Sequence, residues 1–361
     1  MATYEIWLAN RGGVLVKPLY DFAGLDATLA ANGVGFVKLS LPGTSYALTE
    51  FPHKYRLLIR RNGALLGQAA YFITSKEMRL SEGGEYIIEV TAAHTNHLLA
   101  DRYTLYPAAN ADVVATNEAA DDLMKRQVAL NLGANSADAD RDKAAPLNVV
   151  TVASDLTEGP VITKAFARRN LLTVLQEVGQ AAREGGTAVF FGLVDTTGTG
   201  TPQFITKINQ WGIDRSASVT VAPEQSNLIG STRGQNFNEF ASVTYALGQG
   251  EQASRAVGTA EDTTATGTSD LLFVERTIQA NTQTAGALAG EADSLLRESR
   301  VTNSFSGQLQ ETDTFLYGTH WGLGDRVTAS FNGETFVCWI NRANISVSGG
   351  AEQISAILEA V

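Results

Sequence analysis

The chain is poor in residues that staple or interrupt a fold, with 1 cysteine and 8 prolines in 361 residues. A lone cysteine, Cys338, excludes a disulfide framework and any zinc or iron–sulfur site built on several thiolates, so stability has to come from apolar cores. Set between Val337 and Trp339, it reads as a buried apolar residue rather than a nucleophile, because apolar neighbours raise a thiol pKa. Charge is scarce too, at 18% against a typical ~25%. Base is the scarcer sign: 27 Lys and Arg stand against 38 Asp and Glu, a net charge of −11. That deficit argues against a protein that wraps nucleic acid or docks on anionic lipid, since both need clustered cations. No run approaches ~18 uninterrupted apolar residues, and the first residues lack a basic stretch followed by an apolar one. The expectation is no membrane span, no Sec-type leader, and folding in the cytosol of the cell that makes the chain.

What is abundant is Thr (36), Gly (34) and apolar residues (44%), a balance that favours strands joined by turns. The length allows two or three domains. Strand patterns fall at 4–8, 36–41, 55–61, 65–74 and 85–91, with Asn62-Gly63 between two of them suited to a tight hairpin and a second turn at 81–84. The period then changes. Asn117 is placed to cap a helix with Ala120, Leu123, Met124 and Val128 on one face, ending at Gly133. After a polar loop at 134–147, Leu171, Val174, Leu175, Val178 and Ala182 give the strongest helical period in the chain, stopped by Gly185-Gly186. Strands at 188–194 and 204–208 follow, joined across the Thr/Gly-rich turn 196–201. Further strands are expected at 242–247 and 271–278, flanking an acidic stretch at 255–270 read as a mobile loop that orders only against a neighbour. A third helix carries Ala285, Leu288, Ala289, Ala292, Leu295, Leu296 and Ser299 as a narrow small-residue stripe. The end is again strand, at 301–310, 326–331, 334–343 and 353–361, with Asn332-Gly333 as a second hairpin turn. The fold class expected is α+β and β-rich: β-barrel or sandwich domains at 1–100 and 236–361, and a helix-containing α+β domain at 101–235 between them.

Chemistry-bearing patterns are few. His94-x-x-His97 is the only paired-histidine motif, lacks a third ligand nearby, and reads as a surface turn; His53 and His320 stand alone. Asp121 and Asp122 diverge by ~100° on a helix, so they cannot flank one glycosidic bond and read as helix N-terminal charges. Gly248-x-Gly250 and Gly322-x-Gly324 lack the rest of a phosphate-binding fingerprint, and the second reads as a turn into a strand. Trp7, Trp211, Trp321 and Trp339 offer a weak carbohydrate-platform reading against ordinary packing. No catalytic, cofactor-binding or metal-ligating residue is assigned.

Several stretches nevertheless resemble the baseplate-hub or minor tail proteins of long-tailed bacteriophages. They are Tyr55-Arg-Leu-Leu-Ile-Arg-Arg61 with His97-Leu-Leu-Ala-Asp-Arg102; Ala120-Asp-Asp-Leu-Met-Lys125; Arg169-Asn-Leu-Leu-Thr-Val-Leu-Gln-Glu177 leading to Gly186-Thr-Ala-Val-Phe-Phe191; Val243-Thr-Tyr-Ala-Leu-Gly-Gln-Gly250; and Tyr317-Gly-Thr-His-Trp-Gly-Leu-Gly-Asp-Arg-Val327. The last two are the most specific, and the order of all of them along the chain carries the resemblance. The sequence departs at Ala93 and His94, where the family often has Gly and Asp. The resemblance implies a structural, non-enzymatic virion protein whose two β domains are tail-tube-like. Copies of it, three being usual for such hubs, would form a ring continuing the tail tube. Its partners would be itself, the distal tail protein, a fibre or spike protein and the tape-measure protein, with DNA passing without specific binding. With the last strand reaching Val361, no fused wall-degrading or fibre cargo is expected. The competing classes are a glycan-degrading tail enzyme and a carbohydrate-binding module. The acidic balance fits either a lumen that does not retain DNA or simple solubility.

Overall fold

Alternation of apolar and polar side chains sets the architecture, because an extended backbone sends successive side chains to opposite faces. The computed structural model describes residues 2–104, 113–136, 148–166, 169–250, 254–280, 285–299 and 302–360. The N-terminal part supplies β1 (Tyr4–Ala9), β2 (Leu15–Pro18), β3 (Gly24–Ala30), β4 (Phe36–Pro42), β5 (Arg56–Arg61), β6 (Ala64–Leu65), β7 (Tyr71–Leu80) and β8 (Tyr86–His94). The Asn62-Gly63 turn between β5 and β6 holds φ of 51° and 82°, the left-handed pair that matches strand twist. The expected strand at 65–74 is broken by a helical turn at Leu66–Gln68, where Gly67 and Gln68 take positive φ and the chain restarts as β7.

The middle segment carries the short helix α1 (His97–Ala100), then β9 (Val113–Ala119), α2 (Ala120–Asn131), β10 (Thr151–Val152), β11 (Val161–Phe166), α3 (Leu171–Glu184), β12 (Val189–Val194) and β13 (Gln203–Ile208). Ala120, Leu123, Met124 and Val128 of α2, and Leu171, Val174, Leu175, Val178 and Ala182 of α3, are fully buried in one cluster with Val189, Phe191 and Phe204. Asn117 does not cap α2; it lies within β9 at φ 50°, and the helix starts directly from Ala119. Most of the polar loop expected at 134–147 lies outside the described residues.

The C-terminal part contains β14 (Thr220–Val221), β15 (Leu228–Asn236), β16 (Val243–Leu247), β17 (Val257–Glu261), α4 (Thr263–Thr266), β18 (Glu275–Gln279), α5 (Ala285–Glu298), β19 (Thr302–Gln310), β20 (Arg326–Phe331), β21 (Glu334–Ser348) and β22 (Ala351–Ala360). The 255–270 stretch is a correction to the expected loop. Five of its residues pair with β16 as β17, and the Asp262 side chain caps α4 by accepting from Thr264 and Ala265 N–H. Gly258 makes this possible: a Cβ there would stand 2.2 Å from the Leu288 carbonyl carbon, so only a bare backbone lets α5 lie on β17. Leu288, Ala292, Leu296 and Ser299 form the buried side of α5, whereas Ala289 is exposed.

The two strand-rich ends share one sheet. Its order is β15-β19-β22-β21-β3-β4-β8-β7-β5-β1-β2, with β6, β14 and β20 attached beside it, 14 strands in all among the described residues. β21 is the junction. One of its edges pairs with β22 along its length; the other pairs with β20 through Trp339 and with β3 from Arg342 onward. The break between these partners falls at Asn341, whose carbonyl accepts from Ala31 N–H at 2.9 Å. The sheet also curls: Arg61 of β5 makes a two-pronged ion pair with Glu352 of β22, at 2.7 and 2.8 Å, although five strands separate them in the order. Curling lets both chain ends bury one core, from Ile6, Leu25 and Leu39 to Cys338, Ile345 and Leu358. Cys338 is buried there as expected, and burial pushes its thiol up to about 12.

Truncating Ile345, which is 1% exposed and pairs with Ala27, should cost about 2–5 kcal/mol. Because β3 and β21 share a ladder, Ile345→Ala should loosen amides of β4 and β22 together in hydrogen exchange. Loosening confined to β22 would contradict a shared core.

Candidate functional surface

A cavity of about 840 Å³ lies on the side of the sheet away from the core, across β3, β4, β8, β19, β21 and β22. Strand register aligns its side chains in rows. One row runs Gln310, Ser355, Asn344, Thr28, and the next runs Gln353, Ser346, Asp26, Lys38, Thr91. These residues sit between the buried positions Ala27, Ala343, Ile345, Ile354 and Ala356, so the alternation that builds the core also builds the polar face. Thr28 donates to Asn344 Oδ1 at 3.1 Å, and Ser346 donates to Asp26 Oδ1 at 2.6 Å.

The cations on this face are matched. Lys38 and Arg79 both reach Glu89, at 2.6 and 3.0 Å. The Lys38 bond, against the opposing effect of burial and with help from Arg79, holds the Glu89 carboxyl down to about 2. At the rim, burial pushes the Glu352 carboxyl up, and its bonds from Arg61 and the Tyr4 hydroxyl more than reverse this, leaving it below the usual carboxylate range. The face is therefore built mainly of hydroxyls and amides. It offers hydrogen bonds and, among the described residues, no cluster of unpaired cations.

The candidates from sequence do not converge on this face. His94 is not on a surface turn: it ends β8, is 8% exposed, and accepts from Asn96 N–H at Nδ1 while Nε2 donates to Gly67 O at 3.0 Å. Those two bonds fix the neutral tautomer. Burial, only partly offset by the Gly67 carbonyl, lowers His94 to about 4. His97 instead lies on α1 beside Asp101 and Lys54. Ala93 and His94, where the sequence departs from the hub pattern, thus remain in strand, and the turn follows at 95–96. Among the described residues no group of three or more His, Cys, Asp or Glu could hold a metal ion.

Asp121 and Asp122 are not equivalent. Asp121 is fully buried, pairs with buried Lys125 at 2.9 Å, and accepts from Leu156 and Glu158 N–H; Asp122 accepts from Thr157 N–H. Lys125 also donates to Ser154 O at 2.8 Å. Both carboxylates are therefore committed to holding the 154–158 segment on α2. Trp211, Trp321 and Trp339 are buried; Trp321 stacks on Phe315 and meets Tyr317 edge-to-face, and Trp339 donates to Asn209 O, so these rings are consumed by packing. Gly324 takes φ 78° in the turn before β20, as its sequence context implies. Gly248-x-Gly250 likewise turns between β16 and β17, with Gly250 at φ 110°.

The middle segment is tied to the sheet by hydrogen bonds. Asn32 accepts from Phe191 N–H and Asn96 accepts from Leu193 N–H, both at 2.7 Å, covering the free edge of β12. Arg56 and Arg60 of β5 donate to carbonyls of the 197–200 turn, and Arg183 of α3 donates to Ala360 O.

The fold of the whole chain is similar to that of solved phage tail proteins. A tail protein from Neisseria meningitidis MC58 superposes with a TM-score of 0.57 at 13% identity, covering 99% of this chain and 96% of that one. The 43 kDa tail protein of prophage MuSo2 from Shewanella oneidensis gives 0.59 at 11% identity, over 100% and 98%. Prophage tail protein gp18 from Listeria monocytogenes EGD-e gives 0.53 at 8%, over 98% and 94%. A search of curated proteins by sequence finds no match. Residues 3–358 match the profile of the Siphovirus ReqiPepy6 Gp37-like proteins, and the chain belongs to that siphovirus tail-protein family. No described helix is long and apolar enough to cross a membrane.

Two predictions follow from buried groups. Lys125→Met strands the Asp121 carboxylate and should cost roughly 3–5 kcal/mol in thermal or denaturant unfolding; an unchanged midpoint would remove the clamp from the account. For His94, the folded pKa is lowered, so between pH 6.5 and about 4 the unfolded chain takes up a proton that the folded chain refuses. Stability should fall by roughly 3 kcal/mol as pH drops through that window. His94→Gln should flatten that part of the pH profile.

Proposed function

We propose that this siphovirus tail protein is a structural baseplate hub. Copies of it, three in our reading, form a ring at the tail tip that continues the tail tube, with the hydroxyl- and amide-rich sheet face turned to the lumen. The single observation that carries this reading is the row Gln310, Ser355, Asn344, Thr28 on a curled sheet face whose cations are paired with carboxylates. Passing DNA meets hydrogen-bonding groups but no cationic lattice to grip its phosphates, so it slides without specific binding. The strand sets of 1–100 and 236–361 act as two tail-tube-like halves joined at β3 and β21, with 101–235 bracing them outside. The distal tail protein lies above the ring, a fibre or spike protein below it, and the tape-measure protein reaches it from the tube. The chain acts by assembly rather than catalysis and is made in the host cytoplasm before entering the virion.

Solution mass and electron micrographs of the purified chain test this. A multimer with a central channel is expected, and no release of sugar from host cell wall. Turnover of cell wall abolished by changing a single carboxylate would replace the hub reading with the enzyme reading. A second test adds charge to the proposed lumen. The Asn344→Lys, Ser346→Lys, Gln353→Lys triple variant should bind duplex DNA with a salt dependence steeper by about 0.9 per phosphate contacted. DNA affinity equal to that of the parent chain would argue that this face does not meet DNA.

A further inference from the structure

Between α4 and β18 the chain forms an apolar tip that its own chain leaves bare. Asp270 is exposed and has no cationic partner among the described residues, and Leu271, Leu272 and Phe273 are 90%, 37% and 50% exposed. The backbone of the tip is nonetheless ordered by contacts of its own. Ser269 caps the turn at Leu271, and the Ser242 hydroxyl bonds both Leu272 O and Val274 N. A rigid acidic-apolar tip in water is an unusual arrangement for a monomer.

Elsewhere on the chain is a cleft of the opposite character. A cavity of about 490 Å³ is lined by Arg11, Lys54 and Arg56 together with Phe72, Leu98 and Val149. Among these cations Arg11 has no carboxylate partner among the described residues, and Arg56 has only the more distant charge of Asp195. Arg11 donates to His53 O, and Arg56 donates to Arg11 O and Gly200 O. Lys54 is shared with Asp101, and both Lys54 and Arg56 sit over the Phe72 ring, at 5.9 and 5.4 Å. The cleft thus joins an apolar floor to a cationic rim held in place by backbone carbonyls.

We infer that the Ser269–Phe273 tip of one copy docks in the Arg11–Lys54–Arg56 cleft of the next copy. The inference rests on the ring reading and names its contact. The occupant is fixed by complementarity: Asp270 supplies a carboxylate for Arg11, which has none of its own, and the leucines and Phe273 supply apolar groups for Phe72, Leu98 and Val149. Leu271 is 90% exposed, so the tip does not fill the cleft of its own chain. Tip and cleft are different patches, and a contact between unlike patches propagates from copy to copy until rotation closes it, as a ring requires. The tip also explains why the 255–270 segment spends a strand and a capped turn on so little core: it positions residues 269–273.

Chains that each carry one accessible cysteine beside the buried Cys338, with one chain of each mixture enlarged by a tag, provide the test. Full-length Leu271→Cys is mixed with full-length Thr201→Cys, whose residue lines the cleft, and with a Glu85→Cys control, and each mixture is oxidised with copper–phenanthroline. A mixed-size covalent pair should form with Thr201→Cys and be at least about tenfold weaker with Glu85→Cys. Asp270→Lys in the first chain or Arg11→Glu in the second should reduce it by about tenfold or more, and the two together should restore it. Equal yields in both mixtures from a chain whose mass shows a multimer would overturn the docking while leaving the ring. A chain that stays monomeric at every concentration would overturn the ring, and the docking with it.

Discussion

The ladder between β3 and β21 is the constraint on which the rest of the structure depends. It joins Gly24–Ala30 to Arg342–Ser348 across more than 300 residues of sequence. Without it the N-terminal strands would end at an open β3 edge, and the C-terminal strands would expose half of β21. Such edges invite aggregation, and pairing them with each other removes the hazard within one chain. The cost is a non-local contact that forms only after a long loop closes, so its backbone bonds have to be supported by burial of Leu25, Leu29, Ala343 and Ile345.

Once that register is set, the opposite face follows. A shift by one residue would move Asp26, Thr28, Asn344 and Ser346 into the core and their apolar neighbours into the cavity. The polar rows are thus locked to the hydrophobic core rather than placed independently. The Arg61–Glu352 pair closes the same structure from the far side, and the middle segment, through Asn32, Asn96 and Arg183, keeps the sheet curled around it. This coupling makes the polar face as reproducible as the core beneath it.

Much of this was legible in the sequence. The two Asn-Gly hairpins, the apolar faces of α2 and α3 and the β12–β13 hairpin follow from local patterns, because turn φ preferences and helical period act over a few residues. The order of motifs along the chain pointed to phage tail proteins, a membership the family match gives directly. What was missed is non-local. β3 alternates clearly at Leu25, Ala27 and Leu29, but nothing near it names β21 as its partner, so the two ends read as separate domains. The polar face had a signal in Asp26-x-Thr28, Asn344-x-Ser346 and Gln353-x-Ser355, yet only register shows that these pairs line up. His94 read as exposed because its burial is imposed by Gly67 and Tyr71, distant in sequence. The 255–270 segment read as loop because its packing partner, α5, lies some 30 residues further on and meets it through a single glycine.

The central claim is that the rows through Asn344 and Ser346 form the wall of the tail channel. A density map of the assembled tail tip, with this chain placed by its β21 and α3, tests it most directly. The account predicts Thr28, Asn344, Ser346 and Ser355 facing the channel and α3 on the outside of the ring. A map in which that sheet face meets external solvent or a fibre, with α3 toward the channel, would contradict it.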